Sequence, residues 1–316
     1  MPRERLRILT WHVHGNYLYY LSHAPHDFYI VTKPGNPSGY AGCGGALPWS
    51  GNVHEVPYDQ VPQAQFDCVL YQHHVHYAVD RERLLMAAQR ALPTIFLEHD
   101  PPQQHPTNTL HPVQDAGAML VHVTPFNALM WDNGVTPYCV IEHGVVMPAE
   151  TDRRSTLPKG ICVVNNLARR GRRLGADIYQ QVRRQVPLDL VGMGARELDG
   201  LGEIANPELP AFMARYRFFF NPIRYTSLGL AVIEAMMAGL PIVALATTEM
   251  ALLIRSGSNG YADTRVPVLL DAMRGLLKDP ALARELGIQA RRDAQERFGI
   301  ERFASDWDRL LRAVTA

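Results

Sequence analysis

The chain has 316 residues, 47% of them hydrophobic and 20% charged. That composition supports real cores and excludes a disordered protein, and the length suits two domains or one large barrel. No apolar run reaches the roughly 18 residues of a membrane helix, and the start leads into the strand-like Ile8-Leu9-Thr10 without a signal-peptide core.

Cys43, Cys68, Cys139 and Cys162 stand far apart without a CxxC. Neither a disulfide framework nor a zinc knuckle is expected, and a reducing, cytoplasmic setting is the simplest expectation. The net charge of zero conceals a split. Residues 1–147 carry 7 Lys and Arg against 12 Asp and Glu, and residues 148–316 carry 24 against 19. All 13 histidines lie between His12 and His143. Two regions with different chemical tasks follow, the second better suited to an anionic ligand.

In chain order, Arg7–Trp11 reads as a short buried strand, His12–Asn16 as a polar loop, Tyr17–His23 as a short helix and Asp27–Thr32 as a second strand. Pro34–Pro57 is rich in Gly and Pro and lacks periodicity, which predicts a long functional loop. Phe66–Tyr71, Thr94–Glu98, Ala118–Val123 and Tyr138–Glu142 are apolar runs of strand length, separated by helical patterns at Asp80–Ala91 and Pro125–Trp131. This alternation predicts a parallel sheet covered on both faces.

After Met147-Pro148 the pattern restarts. Strands are expected at Gly160–Val164, Leu188–Val191, Phe218–Asn221 and Pro241–Ala244, and helices at Ala176–Gln185, Pro207–Arg215 and Leu230–Ala238. From Val266 onward the chain reads as helical: Pro267–Leu277, Pro280–Arg297 and an amphipathic piece at Glu301–Ala313. Two doubly wound halves, hinged near residue 147, are predicted.

The most informative stretch runs from Phe220 through Asn221-Pro222-Ile223-Arg224-Tyr225-Thr226-Ser227-Leu228-Gly229-Leu230 to Glu234 and on to Gly239-Leu240-Pro241-Ile242-Val243-Ala244. It reads as a strand, a polar turn, and a helix opened by Thr-Ser and Gly and closed on Gly239. Such an opening presents unpaired backbone N–H groups and the positive end of the helix dipole, a ready anion site. Glu234 stands about two turns into an otherwise apolar helix. A buried carboxylate is costly unless hydroxyls or cations occupy it, so a ribose is a fitting tenant.

This stretch resembles the donor-site signature of GT-B glycosyltransferases, specifically the large retaining group with an E-x7-E motif (family 4 type). The resemblance extends through Gly257-Ser258-Asn259-Gly260 and the helical tail, and to Ile-Glu-His-Gly-Val at 141–145, where the family usually shows Pro-Asn-Gly-Val. It implies an α/β, GT-B architecture of two Rossmann-like doubly wound domains facing across a cleft. Residues 1–147 would form the acceptor side, with helix 301–316 packing back on it, and residues 148–300 the nucleotide-sugar side. Glu234 matches the family's second glutamate, whereas Thr226 stands where the first is expected. The ribose-binding role therefore carries over to Glu234, and the first carboxylate's role does not carry over to Thr226.

Asn165-Asn166-Leu167-Ala168-Arg169-Arg170-Gly171-Arg172-Arg173 follows a strand and places four arginines in five positions. Guanidinium groups there could clamp a diphosphate bidentately and stabilise charge on the leaving group. A solvated basic loop, or a patch for an anionic membrane surface, is the plainer alternative. It occupies the place of the family's Gly-Arg…Lys, and register favours Arg170 and Arg173, with Arg169 and Asn166 beside the donor.

Trp11-His12-Val13-His14-Gly15-Asn16 resembles the amino-terminal loop of GT-B enzymes, whose glycine admits acceptor and sugar phosphate, so His14, Gly15 and Asn16 are expected near the ligands. His-x-His ending a first strand is also the metal motif of barrel hydrolases, with His73-His74-Val75-His76 and Glu98-His99-Asp100 as further ligands. Residues 144–316 contain no histidine, which argues against such a barrel.

The resemblance places a histidine at the strand end occupied by Glu98-His99-Asp100, so His99 is expected to contact the transferred sugar or acceptor and assist proton movement; a structural histidine is the plainer reading. His73 and His74 end the preceding strand, where open α/β sheets bind ligands. Gly192-Met193-Gly194 and Leu201-Gly202-Glu203-Ile204 match the loops that hold the nucleobase, which points to Gly194 and Ile204. Tyr17-Leu18-Tyr19-Tyr20 fits the acceptor side or packed core. Asp306-Trp307-Asp308, the sole Asp-x-Asp, lies in the terminal helix and is a poor metal–diphosphate site.

The expected activity is sugar transfer from a nucleotide diphosphate sugar to a glycan, lipid-linked or small-molecule hydroxyl, in polysaccharide biosynthesis. Retention of configuration and independence from metal follow from the resemblance, with no cofactor beyond the co-substrate. His99, Arg170, Arg173 and Glu234 would be the catalytic set. Ser227, Leu228, Gly229 and Leu230 would neutralise the diphosphate with the arginines, and Thr226 would lie beside them. The expected partners are the donor and acceptor, not nucleic acid; peripheral contact with the inner membrane face and a homo-oligomer are compatible. The alternatives are a GT-B-shaped nucleotide-sugar epimerase, a catalytically silent nucleotide-sugar-binding partner and, more remotely, a metallohydrolase. A dehydrogenase is disfavoured because neither half opens with G-x-G-x-x-G.

Overall fold

The computed structural model describes residues 4–13, 15–44, 47–146 and 156–316. It divides into one unit of residues 1–144 and 300–316 and a second of residues 145–299. Met147, expected at the hinge, lies outside the described residues.

The first unit is built on β1 (Arg7–Thr10), β2 (Asp27–Thr32), β3 (Val53–Pro57), β4 (Cys68–Tyr71), β5 (Thr94–Glu98), β6 (Ala118–His122) and β7 (Tyr138–Val140). They form one parallel sheet in the order β3-β2-β1-β4-β5-β6-β7. Alternate residues bury on opposite faces. Leu9, Trp11, Val69, Tyr71, Phe96 and Leu120 share one core, while Ile8, Leu70, Ile95 and Leu97 are equally buried between them. Burial on both faces explains the near-continuous apolar runs.

Two expectations change here. The stretch predicted as a loop to Pro57 contains β3, paired Phe28↔Val53 to Thr32↔Pro57. It is an edge strand with one buried residue, Val56, and ends on a proline, so hydrophobic patterning barely marks it. The helix expected at Asp80–Ala91 is broken into a π turn (His76–Asp80) and two short helices, α2 (Arg81–Arg83) and α3 (Ala87–Arg90). Gln89 explains the break: its Nε2 donates to the Val61 and Ala64 carbonyls, and its Oε1 accepts from Met86 N–H. Those tertiary bonds outweigh helix propensity across Leu84–Met86.

Two more helices belong to this unit early in the chain, α1 (Gly15–Leu21) and α4 (Pro125–Met130), the latter capped by Thr124 Oγ1, which accepts from Asn127 N–H. The terminal helix Ile300–Thr315 closes it. Phe303, Trp307 and Leu311 are fully buried, and Trp307 Nε1 donates to Tyr17 Oη at 3.3 Å. Tyr17 is thus core rather than acceptor surface. A Cβ on Gly144 would stand 2.2 Å from Phe303 Cβ, so the helix can lie this close only against a glycine.

The second unit has β8 (Gly160–Val163), β9 (Leu188–Val191), β10 (Phe218–Asn221), β11 (Ile242–Leu245) and β12 (Gly260–Asp263) in the parallel order β12-β11-β10-β8-β9. Numbered within the unit this is 2-1-3-4-5, the doubly wound order whose ligands bind where the direction of winding reverses. That point is the gap between the carboxyl ends of β8 and β10. The helices are α5 (Leu167–Leu174), α6 (Ala176–Arg183), α7 (Leu209–Met213), α8 (Leu230–Met237), α9 (Met250–Leu253), α10 (Val266–Lys278) and α11 (Pro280–Phe298); the terminal helix becomes α12. Cys162, Leu190, Phe218, Phe220 and Val243 form one core with Leu269 and Met273 of α10.

Among the described residues no helix is long and apolar enough to cross a membrane. Replacing Trp307 by Ala should cost about 3–5 kcal/mol by leaving a large cavity under α12, read as a lower urea midpoint with little change in slope.

Candidate active site

The two loops beside the switch point in the second unit, with the helices α5 and α8 that they open, carry most residues singled out for donor binding. After β8 the chain turns through Asn165 and Asn166, the latter in left-handed backbone (φ 53°), which Asn tolerates better than most residues. Asn166 N–H donates to Met193 O at 2.6 Å, and Asn165 Oδ1 accepts from Met193 N–H at 2.9 Å. The loop after β9, with Gly194 at φ 68°, is thereby stitched to the loop after β8. Ile204 is half-buried farther along this segment.

The arginines of α5 divide by role. Arg172 pairs with Asp177 at 2.6 Å, and Arg224, from the loop after β10, forks onto the same carboxylate at 2.7 and 2.8 Å. That double pairing holds the Asp177 carboxyl below its ordinary range, chiefly through Arg224. Arg173 O accepts from the N–H groups of Arg224 and Tyr225. Gly175, at φ 82°, lets Pro222 approach: an added Cβ would fall 1.9 Å from Pro222 O. Arg224 therefore clasps the loop after β10 to α5 and α6, with Arg172 on the same carboxylate. Arg169 is exposed, and Arg170 and Arg173 are half-buried on either side of the Gly171 kink.

On the β10 side, Thr226 is half-buried and Ser227 and Leu228 are buried. Gly229 caps α8 in extended backbone, and Leu230 opens the helix. Glu234 is 5% exposed. It stands a little over one turn into α8 rather than two, because residues 226–229 are not helical. The carboxylate is thus close to the end where the first-turn N–H groups lie.

In the first unit, Gly15 opens α1 with Asn16 after it, and His14 lies outside the described residues. The switch point here is between β1 and β4, and buried Gln72 bridges it: its Nε2 donates to Thr10 Oγ1 and Trp11 O. Gln72 Oε1 accepts from His99 Nε2 at 3.2 Å, and the His99 ring meets Tyr17 edge-on. His73 and His74 follow β4, exposed, with ring centres 4.4 Å apart. Partial desolvation of the ring, with His74 nearby, pushes the His73 imidazole below its ordinary range.

His73, His74 and His99 line one pocket of about 340 Å³. Sequence reasoning missed Gln72, Phe96 and Trp131 in its wall and weighed Glu98 only as a metal ligand. Glu98 belongs to the same Glu-His-Asp segment as His99, and its partner His111 comes from a distant loop with no motif. His12 donates to Gly42 O, and buried His76 stacks on Trp11. Among the described residues no three His, Cys, Asp or Glu side chains are placed to hold a metal. Two open parallel sheets replace the barrel that the metallohydrolase reading requires.

Residues 159–279 match the family model described as glycosyl transferases group 1. No curated protein matches the chain in sequence. Among solved structures, sucrose-phosphate synthase from Thermosynechococcus elongatus is similar at 16% identity and TM-score 0.71, over 98% of this chain and 99% of that one. Anabaena HepE in complex with UDP-glucose gives 15% and 0.67, over 98% and 100%. AviGT4, a glycosyltransferase involved in avilamycin A biosynthesis, gives 14% and 0.65, over 98% of each. The fold is that of GT-B glycosyltransferases. Within that fold, residues 159–279 are the part that matches the glycosyl transferases group 1 model.

Two outcomes are expected. Arg224→Ala should loosen the clasp and strand Asp177 beside Arg172 alone, lowering stability by about 1–3 kcal/mol in denaturant titration. The second concerns acid. Burial holds His76 down at about 3 and His122 at about 4, against 6.5 when unfolded. Between those values the unfolded chain binds protons that the folded chain does not, so stability falls as pH drops below about 6.5. The melting temperature should decline through that window, less steeply in His76→Asn.

Proposed function

We propose that the second unit binds a nucleotide diphosphate sugar at its switch point and that the chain transfers the sugar to an acceptor hydroxyl, with retention of configuration and without a metal. The observation that carries this reading is the burial of Glu234 in the second turn of α8, which follows β10 at the switch point, as the arginines of α5 follow β8. Glu234 would accept hydrogen bonds from the ribose hydroxyls. The N–H groups at Ser227–Leu230 and the positive end of α8 would meet the diphosphate.

Arg170 and Arg173 would neutralise the charge that grows on the leaving diphosphate, the role a divalent cation plays elsewhere, with Asn166 and Arg169 beside them. Gly194 and Ile204 would border the nucleobase. Charge supports this placement: the second unit carries 21 Lys and Arg against 16 Asp and Glu. The neighbour crystallised with UDP-glucose favours a uridine nucleotide. On the acceptor side, His73, His74 and His99 would face the incoming hydroxyl, with His14, Gly15 and Asn16 near it.

Glu234→Ala should weaken UDP-sugar binding about 10- to 100-fold by calorimetry, and unchanged affinity refutes the assignment. Arg173→Ala should lower kcat about a hundredfold while EDTA leaves the wild-type rate unchanged. Anomeric NMR of the product reads the stereochemistry. Thr226 in place of a glutamate favours one second reading, a silent nucleotide-sugar binder, which transfer above background excludes.

A further inference from the structure

The pocket at the carboxyl ends of β4 and β5 lies wholly within the first unit, and its chemistry contrasts with the arginine loop of the second. Its lining offers carboxylates (Glu98, Asp100), imidazoles (His73, His74, His99, His105), amides (Gln72, Gln103, Gln104) and the aromatic faces of Phe96 and Trp131. None of the lining residues is Lys or Arg. At about 340 Å³ it falls at the small end of small-molecule sites.

Several of these groups are held before any ligand arrives. Val113 N–H donates to His111 Nδ1 at 3.1 Å, so the proton of neutral His111 sits on Nε2 and is donated to Glu98 Oε2 at 3.1 Å. Glu98 Oε1 accepts from Asp100 N–H at 2.9 Å. Each oxygen keeps a further lone pair for a ligand hydroxyl. Trp131 Nε1 donates to Asp100 O at 2.8 Å, which sets the indole plane, and His111 meets that indole edge-on. His99 is set by Gln72 Oε1. Such preorganisation lowers the entropy lost on binding.

We propose that this pocket receives an uncharged polyhydroxylated group, a sugar or polyol bearing no phosphate, as the acceptor-side ligand of the enzyme. Hydroxyls donate to the anchored carboxylate and to imidazole nitrogens, and the C–H face of a sugar ring lies against the indole. A phosphate would bring up to two negative charges beside Glu98 and Asp100 with no cation to answer them. The surrounding unit, with 10 Lys and Arg against 15 Asp and Glu, adds to the repulsion. The acceptor role rests on the transferase reading above, whereas the pocket's preference for neutral sugars is measured without any donor.

The test is saturation-transfer NMR on the full chain with glucose, galactose, mannose and N-acetylglucosamine and with their 6-phosphates, each with and without UDP. At least one neutral sugar should bind, its 6-phosphate should bind about tenfold more weakly, and Glu98→Gln should weaken the neutral sugar about tenfold. Gln104 is an exposed lining residue, so Gln104→Arg changes charge with little risk to folding. It should restore 6-phosphate binding severalfold. Equal or tighter binding of a 6-phosphate to the wild type overturns the proposal, and so does failure of all four neutral sugars. Failure of UDP to bind overturns the donor assignment and leaves the sugar comparison intact.

Discussion

Parallel pairing of β10 with β8, and of β8 with β9 on its other side, is the constraint on which the rest depends. It brings the chain leaving β8 and the chain leaving β10, some sixty residues apart, to the same edge of the sheet. Backbone hydrogen bonds set that neighbourhood, and a carboxylate secures it. Asp177 receives Arg224 from the loop after β10 and Arg172 from α5, while Gly175 removes the side chain that would hold Pro222 away. One arginine of the basic run, Arg172, is thereby committed to structure.

The two units solve opposite electrostatic problems with the same sheet architecture. In the second, the arginines of α5 and the amino end of α8 follow the two strands that flank the switch point. The first sets His73, His74, His99, Glu98 and Asp100 around the β4 and β5 ends, and uses amide and imidazole contacts to fix His99 and Glu98. Gln72 is central there. It spans β1 and β4 through Thr10 and Trp11 and sets the ring of His99 at the same time. Deep burial keeps His76 and His122 neutral, so those two rings act as aromatic packing rather than as proton carriers at neutral pH.

The histidine-rich character of residues 1–147 was visible from the start, yet histidines with different tasks look alike in a sequence. His26 spans β1's start and Asp308 of α12, His111 orients Glu98, and His73 and His74 remain at the surface. Burial and hydrogen-bond partners separate them, and those come from segments tens to hundreds of residues away. Asp306-Trp307-Asp308 teaches the same lesson. Both carboxylates are taken up by arginines of α12 itself, while the tryptophan between them fills the core against Tyr17.

What the chain's order of residues determined by itself was the alternation of strand and helix, the restart after residue 147, and the strand–turn–helix around Glu234. These are local or periodic signals, written in consecutive positions. β3 escaped because an edge strand with one buried residue carries almost no periodicity, and the helix at Asp80–Ala91 broke because Gln89 found partners in a different segment. Only the tertiary structure decided that Arg172 and Arg224 share the Asp177 carboxylate, and that Glu98, rather than His99 alone, is an anchored group of the first unit's pocket. Both decisions turn on pairing between distant side chains, and pairing of that kind has no signature along the chain.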